Sequence, residues 1–369
     1  MRGLRAADTP VGAGPGERSP VSIEITGREQ WQAWQDGVLP PVERVADGLW
    51  SIPVPIPDNP LRYVLVYALE AADGLVLVDA GWDADESWLA LTRGIASFGY
   101  GAADVRTVLV THFHGDHLGL AGRIREASGA RVAMHSLDAA ELKSIPASVE
   151  LWAGVIGDQM RRHGVPEDMA CSAAGGLELE RHFRPPLPDL LLEDGMTITA
   201  GGRELRAVWT PGHTPGHTCF YEERQRLLFS GDHVLPRITP QIAVMRQDQG
   251  DPLSAFLLSL ERLDRLSVDE VLPAHEYRFR GLSQRVAVMA EHHAQRLKEL
   301  HSLLGEVPGA TAWTLAGRLA WSRPWESFSA TNRRFALAET LAHLRLLEMR
   351  GEARRAEGAP VSWHLAAAA

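Results

Sequence analysis

Two spacings of apolar residues alternate along this chain, and the points where one gives way to the other divide it. From Gly48 onward, short apolar runs bounded by turn residues predict strands: LWSIPVPI (49–56), LRYVLVYAL (61–69) and GLVLVDAG (74–81), with Pro-Asp-Asn-Pro and Ala-Asp-Gly between them. Asp83 to Phe98 carries Trp88, Leu89, Leu91 and Ile95 at helical spacing. A buried strand over Val105 to Val110, a helix over Leu118 to Ala127 and a short strand over Arg131 to His135 follow. Residues 137–190 break this rhythm. Ala139 to Leu142, Leu151 to Arg162 and Leu177 to Phe183 read as helices, punctuated by Pro146, Pro166 and Gly175-Gly176. A connection of this length predicts an inserted helical lid. Strands resume at Met196 to Thr199, Leu205 to Thr210, Cys219 to Glu222, Arg226 to Ser230 and, after a helix over Pro252 to Leu266, at Glu270 to Leu272.

The two ends differ from the middle. Residues 1–20 are rich in Gly, Pro and charge and predict a disordered leader. Trp31 and Trp34 share one face of a short helical run, as core residues would. Beyond Gly281 the pattern is helical: Gln284 to Leu304, Ala312 to Ala320 and Asn332 to Met349. Two strand-like runs, Ala353 to Ala356 and Pro360 to His364, close the chain. Three helices and a hairpin are the order of a small winged helix. The expected organisation is a leader (1–20), a main domain (21–280, with the insertion at 137–190) and a winged-helix-like unit (281–369).

Composition narrows the chemistry. The chain has 369 residues, 45% of them hydrophobic and 23% charged, as expected of a globular protein. Its net charge of −10 argues against nonspecific binding to nucleic acid or anionic membranes. No apolar run is long enough to span a bilayer and no signal-peptide core follows Arg2 and Arg5, so the default expectation is a cytoplasmic protein. Two cysteines, Cys171 and Cys219, supply neither a disulfide framework nor a cysteine zinc site. Lys143 and Lys298 are the only lysines, and neither stands in a Ser-x-x-Lys or P-loop context. The serine elbow G-x-S-x-G is also missing.

What the chain does have is histidine. VLVTHFHGDHLG (108–119) sets His112, His114, Asp116 and His117 within six residues at the end of a predicted strand. Alternation points His112 and His114 to one side, and Gly115 is expected to allow a sharp turn that puts Asp116 and His117 on the next helix. Three more pieces follow: His213 in TPGHTPGHT (210–218), Asp232 in FSGDH and His275 in LPAHE, each just after a predicted strand. Imidazole and carboxylate suit Zn, Fe or Mn, and so many ligands exceed the needs of one ion.

The order HxHxDH, His, Asp, His, from about Val45 to His275, resembles the metallo-β-lactamase superfamily and, within it, the dinuclear site of the glyoxalase II type. The resemblance implies an α+β fold, an αββα sandwich, carrying here a helical insertion and a C-terminal winged-helix domain. It implies two divalent ions, zinc first and Fe or Mn as alternatives. His112, His114 and His213 would hold the first; Asp116, His117 and His275 the second; Asp232 would bridge them. Asp79 would orient ligands from behind. A metal-bridging hydroxide would then attack an electrophilic carbon or phosphorus, with no protein nucleophile. Asp116 would also orient that hydroxide. His233 is open to a substrate or a supporting role, His217 to bracing its loop, and His135 to a structural one. His163, His182, His292, His293, His301, His343 and His364 read as surface or helix residues.

The substrate expected is a small ester, thioester or lactone. The competing expectation, an endoribonuclease or other phosphodiesterase, draws on similarity of the C-terminal unit to the β-lactamase-like 2 group, some members of which cut single-stranded RNA. The sequence departs from the glyoxalase II segment that holds glutathione, since HVLPRITPQI follows Asp232, and it lacks the tyrosine that quorum-signal lactonases place there. From residue 281 on, 11 basic residues face 8 acidic ones, and the pairs Arg333-Arg334 and Arg354-Arg355 are the phosphate-binding candidates. With so few, the unit is expected to pack against the lid or a second subunit, and nucleic acid and membrane are not expected partners. Trp152, Ile156 and Met160 form a stripe that suits either an acyl pocket or lid core.

Overall fold

The computed structural model describes residues 23–144, 149–170, 185–244 and 250–366. The leader expected at 1–20 and the helix expected at 177–183 lie outside these residues, as does the side chain of Trp152. Sixteen strands are present among the described residues, and fourteen of them form two sheets of seven.

The first sheet runs in the order β2 (Glu43–Ala46), β3 (Leu49–Pro55), β4 (Tyr63–Ala71), β5 (Gly74–Val78), β6 (Val105–Leu109), β7 (Arg131–His135) and β8 (Leu190–Leu192). It is antiparallel from β2 to β5 and parallel from β5 to β8. In the second sheet the order is β1 (Glu24–Ile25), β14 (Phe279–Arg280), β13 (Glu270–Pro273), β12 (Leu227–Gly231), β11 (Thr218–Glu222), β10 (Arg203–Trp209) and β9 (Thr197–Ala200). Only its β12–β13 pair is parallel.

Strand β4 shows why the sheets stack. Tyr63, Leu65, Tyr67 and Leu69 face Leu205, Phe220, Phe229 and Leu272 of the other sheet, while Val64, Val66 and Ala68 face outward into a second apolar cluster. Both sides are covered, so the strand is apolar throughout rather than alternating. Pro53 and Pro55 sit in β3 without breaking it, because β2 pairs with β3 only from Leu49 to Ser51 and leaves the proline side of the strand unpaired. The helices Asp85–Ala96 and Ala121–Ser128 cover the outer face of the first sheet.

The outer face of the second sheet is covered by the helices Pro252–Asp264, Leu282–Glu306 and Ala330–Met349. A short helix, Ala312–Ala316, and the hairpin of β15 (Ala353–Ala356) with β16 (Ser362–Leu365) complete the C-terminal unit. One cluster joins Val208, Leu228 and Val271 of the sheet to Leu300, Leu315, Leu341 and Trp363, so the core runs across residue 280 without a break. Ile156 and Met160 of the inserted helix Val149–Arg162 are buried in the same cluster. The insertion is further tied down by Val361 N–H to the Arg162 carbonyl (2.9 Å), Trp313 N–H to the His163 carbonyl (3.1 Å) and an Arg162–Glu357 ion pair (2.6 Å). The Ile156–Met160 stripe is therefore core between the insertion and the C-terminal unit. No helix among the described residues is long and apolar enough to cross a membrane.

Candidate metal centre

Each strand that leads to a ligand ends at the same edge of the sandwich. The chain leaves β6 at Leu109 and reaches His112, His114, Asp116 and His117. It leaves β10 before His213, β12 at Asp232 and β13 before His275. Asp116 and His117 lie on one helical turn, Gly115–Leu118. Gly115 does not adopt the left-handed conformation expected of a sharp turn. It is required because a β-carbon there would stand 2.8 Å from the Trp82 ring.

The seven donors form two groups around one carboxylate. His112 Nε2 lies 2.9 Å from His114 Nδ1, which lies 3.1 Å from His213 Nε2. Asp232 Oδ2 faces this group, 3.6 Å from His213 Nε2 and 4.0 Å from His112 Nε2. The other oxygen, Oδ1, faces His275 Nε2 at 3.2 Å and His117 Nε2 at 3.5 Å. Asp116 completes the second group, with Oδ2 3.4 Å from His275 Nε2 and Oδ1 3.8 Å from His117 Nε2. Ligands at about 2.0–2.2 Å from a tetrahedral ion stand about 3.3–3.6 Å apart, close to these separations. His117 Nε2, His275 Nε2 and Asp232 Oδ1 are buried with no hydrogen-bond partner, which is costly unless an ion takes the lone pairs. The residues fit divalent metal.

The outer ring nitrogens are held from behind. His117 Nδ1–H donates to Asp79 Oδ2 (2.8 Å), His275 Nδ1–H to the Tyr63 carbonyl (2.9 Å) and His213 Nδ1–H to the Gln241 carbonyl (2.8 Å). Each bond fixes the tautomer that turns an Nε2 lone pair inward. Asp79 also accepts from Thr111 N–H (2.8 Å) and the Thr111 hydroxyl (3.0 Å), in the left-handed backbone that aspartate tolerates. His217 binds no ligand group: Nδ1 meets the Thr210 hydroxyl (2.8 Å) and Nε2 accepts Asp232 N–H (3.2 Å).

Burial is the largest influence on every charge here. It holds His112, His114 and His213 neutral, helped by neighbouring imidazoles, with His114 pushed down to about 3. Burial also opposes charge on His117 and His275, but the surrounding carboxylates outweigh it: Asp79 and Asp232 raise His117 well above its usual range, and Asp232 and Asp116 raise His275 to about 10. In return His117 and His275 keep the carboxylates of Asp116 and Asp232 ionised despite their burial. The second group therefore pairs ionised carboxylates with imidazoles that draw a proton, which a bound cation would displace, and the first offers neutral nitrogen.

One residue absent from the expectations ties two ligand loops together. Asp138, fully buried, accepts Phe113 N–H (3.0 Å) and the Thr214 hydroxyl (2.8 Å) on Oδ2, and Gly216 N–H (2.5 Å) on Oδ1. A β-carbon on Gly216 would meet the Asp138 backbone nitrogen at 2.5 Å, so the close approach needs glycine. Burial pushes the Asp138 carboxyl up to about 7, against these three donors. His233 has no exposed surface; its ring packs on Phe256, with centroids 4.6 Å apart, and neither ring nitrogen has a hydrogen-bond partner. Its ring also lies beside that of His217, with centroids 5.4 Å apart. His135 stacks on Trp209 (5.5 Å) and accepts Leu137 N–H, a structural placement. His163, His293 and His343, expected on helices or the surface, are buried.

Comparison with known proteins agrees with this geometry. The family model of the Metallo-beta-lactamase superfamily matches residues 59–275, more than half of the chain. Lactamase-like protein adaB of Aspergillus niger is 25% identical over 304 residues, 79% of this chain and 76% of that protein. The Beta-lactamase-like protein 2 homolog of Caenorhabditis elegans is 23% identical, over 77% of this chain and 80% of its own. A metallo-beta-lactamase family protein from Thermus thermophilus superposes with a TM-score of 0.74 at 33% identity, covering 87% of this chain and 100% of that one. A beta-lactamase domain protein from Burkholderia ambifaria gives a TM-score of 0.77 at 26% identity, over 93% of this chain and 98% of its own. The residues left uncovered there are fewer than those of the C-terminal unit, so that structure shares at least part of the unit. By fold, motif and ligand geometry, this chain belongs to the metallo-β-lactamase superfamily and is a hydrolase built on that fold.

Proposed function

We propose that the chain is a dinuclear metallohydrolase of the glyoxalase II type, acting on a small ester, thioester or lactone. The observation that carries the reading is the division of Asp232, one oxygen toward His112 and His213 and the other toward His117 and His275. Two divalent ions bound there, zinc foremost, would lower the pKa of a water and polarise the oxygen under attack. His112, His114 and His213 would hold the first ion and Asp116, His117 and His275 the second. Asp116 has two oxygens at this edge, so one can orient the attacking water while the other binds. Asp79, Tyr63, Gln241 and Thr111 keep the imidazoles aimed, and Asp138 keeps the loops in register. Cys219 is buried and neither lysine belongs to the centre, in keeping with a nucleophile drawn from water.

The C-terminal helices and hairpin follow the order of a winged helix, and the phosphodiesterase reading would have it capture nucleic acid. Its arginines favour the small-molecule reading. Arg333 donates to the Trp325 and Glu326 carbonyls and lies over the Trp325 ring, Arg334 is almost entirely buried, and Arg355 pairs with Glu348 and Glu357. Arg354 is the exposed member of the four. The test is elemental analysis of protein purified without chelator, joined to a hydrolysis screen over thioesters, lactones, β-lactams, phosphodiesters and single-stranded RNA. Two equivalents of metal with turnover of a carbonyl substrate are expected. One equivalent at full activity would refute the dinuclear mechanism, and RNA cleavage with salt-sensitive binding would put the nuclease reading first.

A further inference from the structure

Residues 233–244 leave the bridging aspartate and run to the C-terminal unit without helix or strand. The unit grips this segment at three points. Arg285, buried on the helix Leu282–Glu306, donates Nε–H to the Leu235 carbonyl (2.6 Å) and Nη2–H to the Ile238 carbonyl (2.5 Å). Gln241 donates its side-chain amide to the Phe335 carbonyl, and Val244 N–H reaches the Ala338 carbonyl, both at 3.3 Å and both on the helix Ala330–Met349. Between these grips, the carbonyl of Gln241 accepts His213 Nδ1–H at 2.8 Å.

We infer that Arg285 is a positioning residue of the metal centre, through which the C-terminal unit sets the affinity of the site formed by His112, His114 and His213. The inference rests on the dinuclear reading for its two-site form. Its physics is local. Charge-assisted bonds from a rigid guanidinium fork are among the stronger ones available to a carbonyl, and two of them pin the segment before Gln241. When Arg285 is lost, the buried Leu235 carbonyl and the half-buried Ile238 carbonyl lose their partner and the segment shifts to find new ones. The Gln241 carbonyl moves with it. His213 is then free to rotate or to carry its proton on Nε2, where an N–H faces the ion in place of a lone pair. The outer nitrogens of His117 and His275 at the second site are held by Asp79 and the Tyr63 carbonyl, inside the sandwich; the segment touches that side through Arg237, which donates to Glu276 Oε1 (3.0 and 3.1 Å) beside His275.

The test uses the full chain, wild type and Arg285→Met, with zinc competed against a chromophoric chelator to resolve two binding constants. The variant is expected to weaken one constant by about 10–100-fold, as loss of an outer-shell partner does, and to leave the other within twofold. Gln241→Ala, which keeps the carbonyl and removes only the tether to Phe335, is the second variant should Arg285→Met fail to fold; about a 2–10-fold loss at the same site is expected. The His213 Nδ1–H proton, identified by its absence in His213→Ala, should exchange slowly in wild-type protein and faster in both variants, with or without zinc. Folded variants with unchanged constants and unchanged exchange would overturn the inference, as would equal weakening of both sites, which marks a merely structural arginine. A wild-type stoichiometry of one would refute the dinuclear reading instead, and the exchange of the His213 proton would still decide the role of Arg285.

Discussion

Replacing Asp79 by asparagine changes one atom of shape and reverses one hydrogen bond. Asparagine tolerates the left-handed backbone at this position, where φ is 63°. Its carbonyl oxygen can still accept Thr111 N–H, now bonded at 2.8 Å, but its amide nitrogen then stands opposite His117 Nδ1, where a carboxylate oxygen now lies at 2.8 Å. Two N–H groups face each other unless His117 moves its proton to Nε2. In the first case a buried donor goes unpaired, at about 1–3 kcal/mol. In the second the ring presents N–H to the ion. Either way the second metal is predicted to bind about 10–100-fold more weakly, about 1.4–2.7 kcal/mol, while the first site and the fold persist. Chelator competition on Asp79→Asn and wild-type protein at one pH measures this, with the thermal midpoint of the chelated proteins as the control for stability. If Asp79→Asn binds both equivalents as the wild type does, the Asp79 bond does not set the tautomer of His117 and the argument fails.

Asp116→Ala or His117→Ala should leave one metal equivalent per chain by elemental analysis and reduce turnover by orders of magnitude, Asp116→Ala with little change in folding and His117→Ala with a loss of stability, since it leaves the buried Asp79 carboxylate without its imidazole; two retained equivalents would reject the ligand assignment. Met160→Ala should cost about 2–5 kcal/mol in urea unfolding without altering acyl-chain preference, because Met160 is core; a shifted preference at unchanged stability would instead make it pocket wall. Arg333→Ala should lower stability through its lost bonds to the Trp325 and Glu326 carbonyls, with no effect on RNA affinity, as read by a salt titration of binding. Burial holds His163 down to about 4 and His343 down to about 3, so both are neutral in the fold while the unfolded chain protonates near 6.5. Their contribution to stability is complete above pH 6.5 and is lost as pH falls through the window down to about 4 and about 3, at about 1.4 kcal/mol per pH unit for each. A urea series from pH 7 to pH 4 that is no flatter for His163→Gln than for wild type would contradict this.

The candidate ligands that gather at one edge could be picked out in the chain because metal binding constrains residue type and each follows a strand whose apolar run is visible. Most strands were legible for the same reason, as were the three C-terminal helices and the hairpin. The strands that escaped are short or oddly placed. β1 and β14 have two residues each, the four-residue β2 (Glu43–Ala46) has charged and apolar residues mixed, and β8 is a leucine triplet after a proline-rich stretch, visible as an edge strand only once β7 is beside it. The supporting groups were the harder part. Asp79 was marked by its place in the family pattern, but the partners of His213 and His275 are main-chain carbonyls, which every residue owns and no sequence distinguishes. Asp138 lies in SLDAAEL with nothing to mark it, and its use depends on two loops meeting that are about a hundred positions apart. The stripe at Ile156 and Met160 was ambiguous because apolar spacing shows that a helix is covered, not by what.

The placement of the ligands at the shared edge of the sandwich makes an occupied centre a cross-link. Four of its ligand residues follow a strand of the first sheet and three follow strands of the second, so ions there join points from His112 to His275 that an unfolded chain would let drift apart. A disulfide can serve that purpose; this chain has only two cysteines, and here the tie would lie on coordination bonds that form and break reversibly. The strength of the tie then varies with supply. An ion present at a hundred times its dissociation constant adds about 2.7 kcal/mol to the folded state, and one present at the dissociation constant adds about 0.4. Where ions bind, the stability of the fold would follow the free metal around it, and scarcity would first loosen the edge at which the candidate ligands meet.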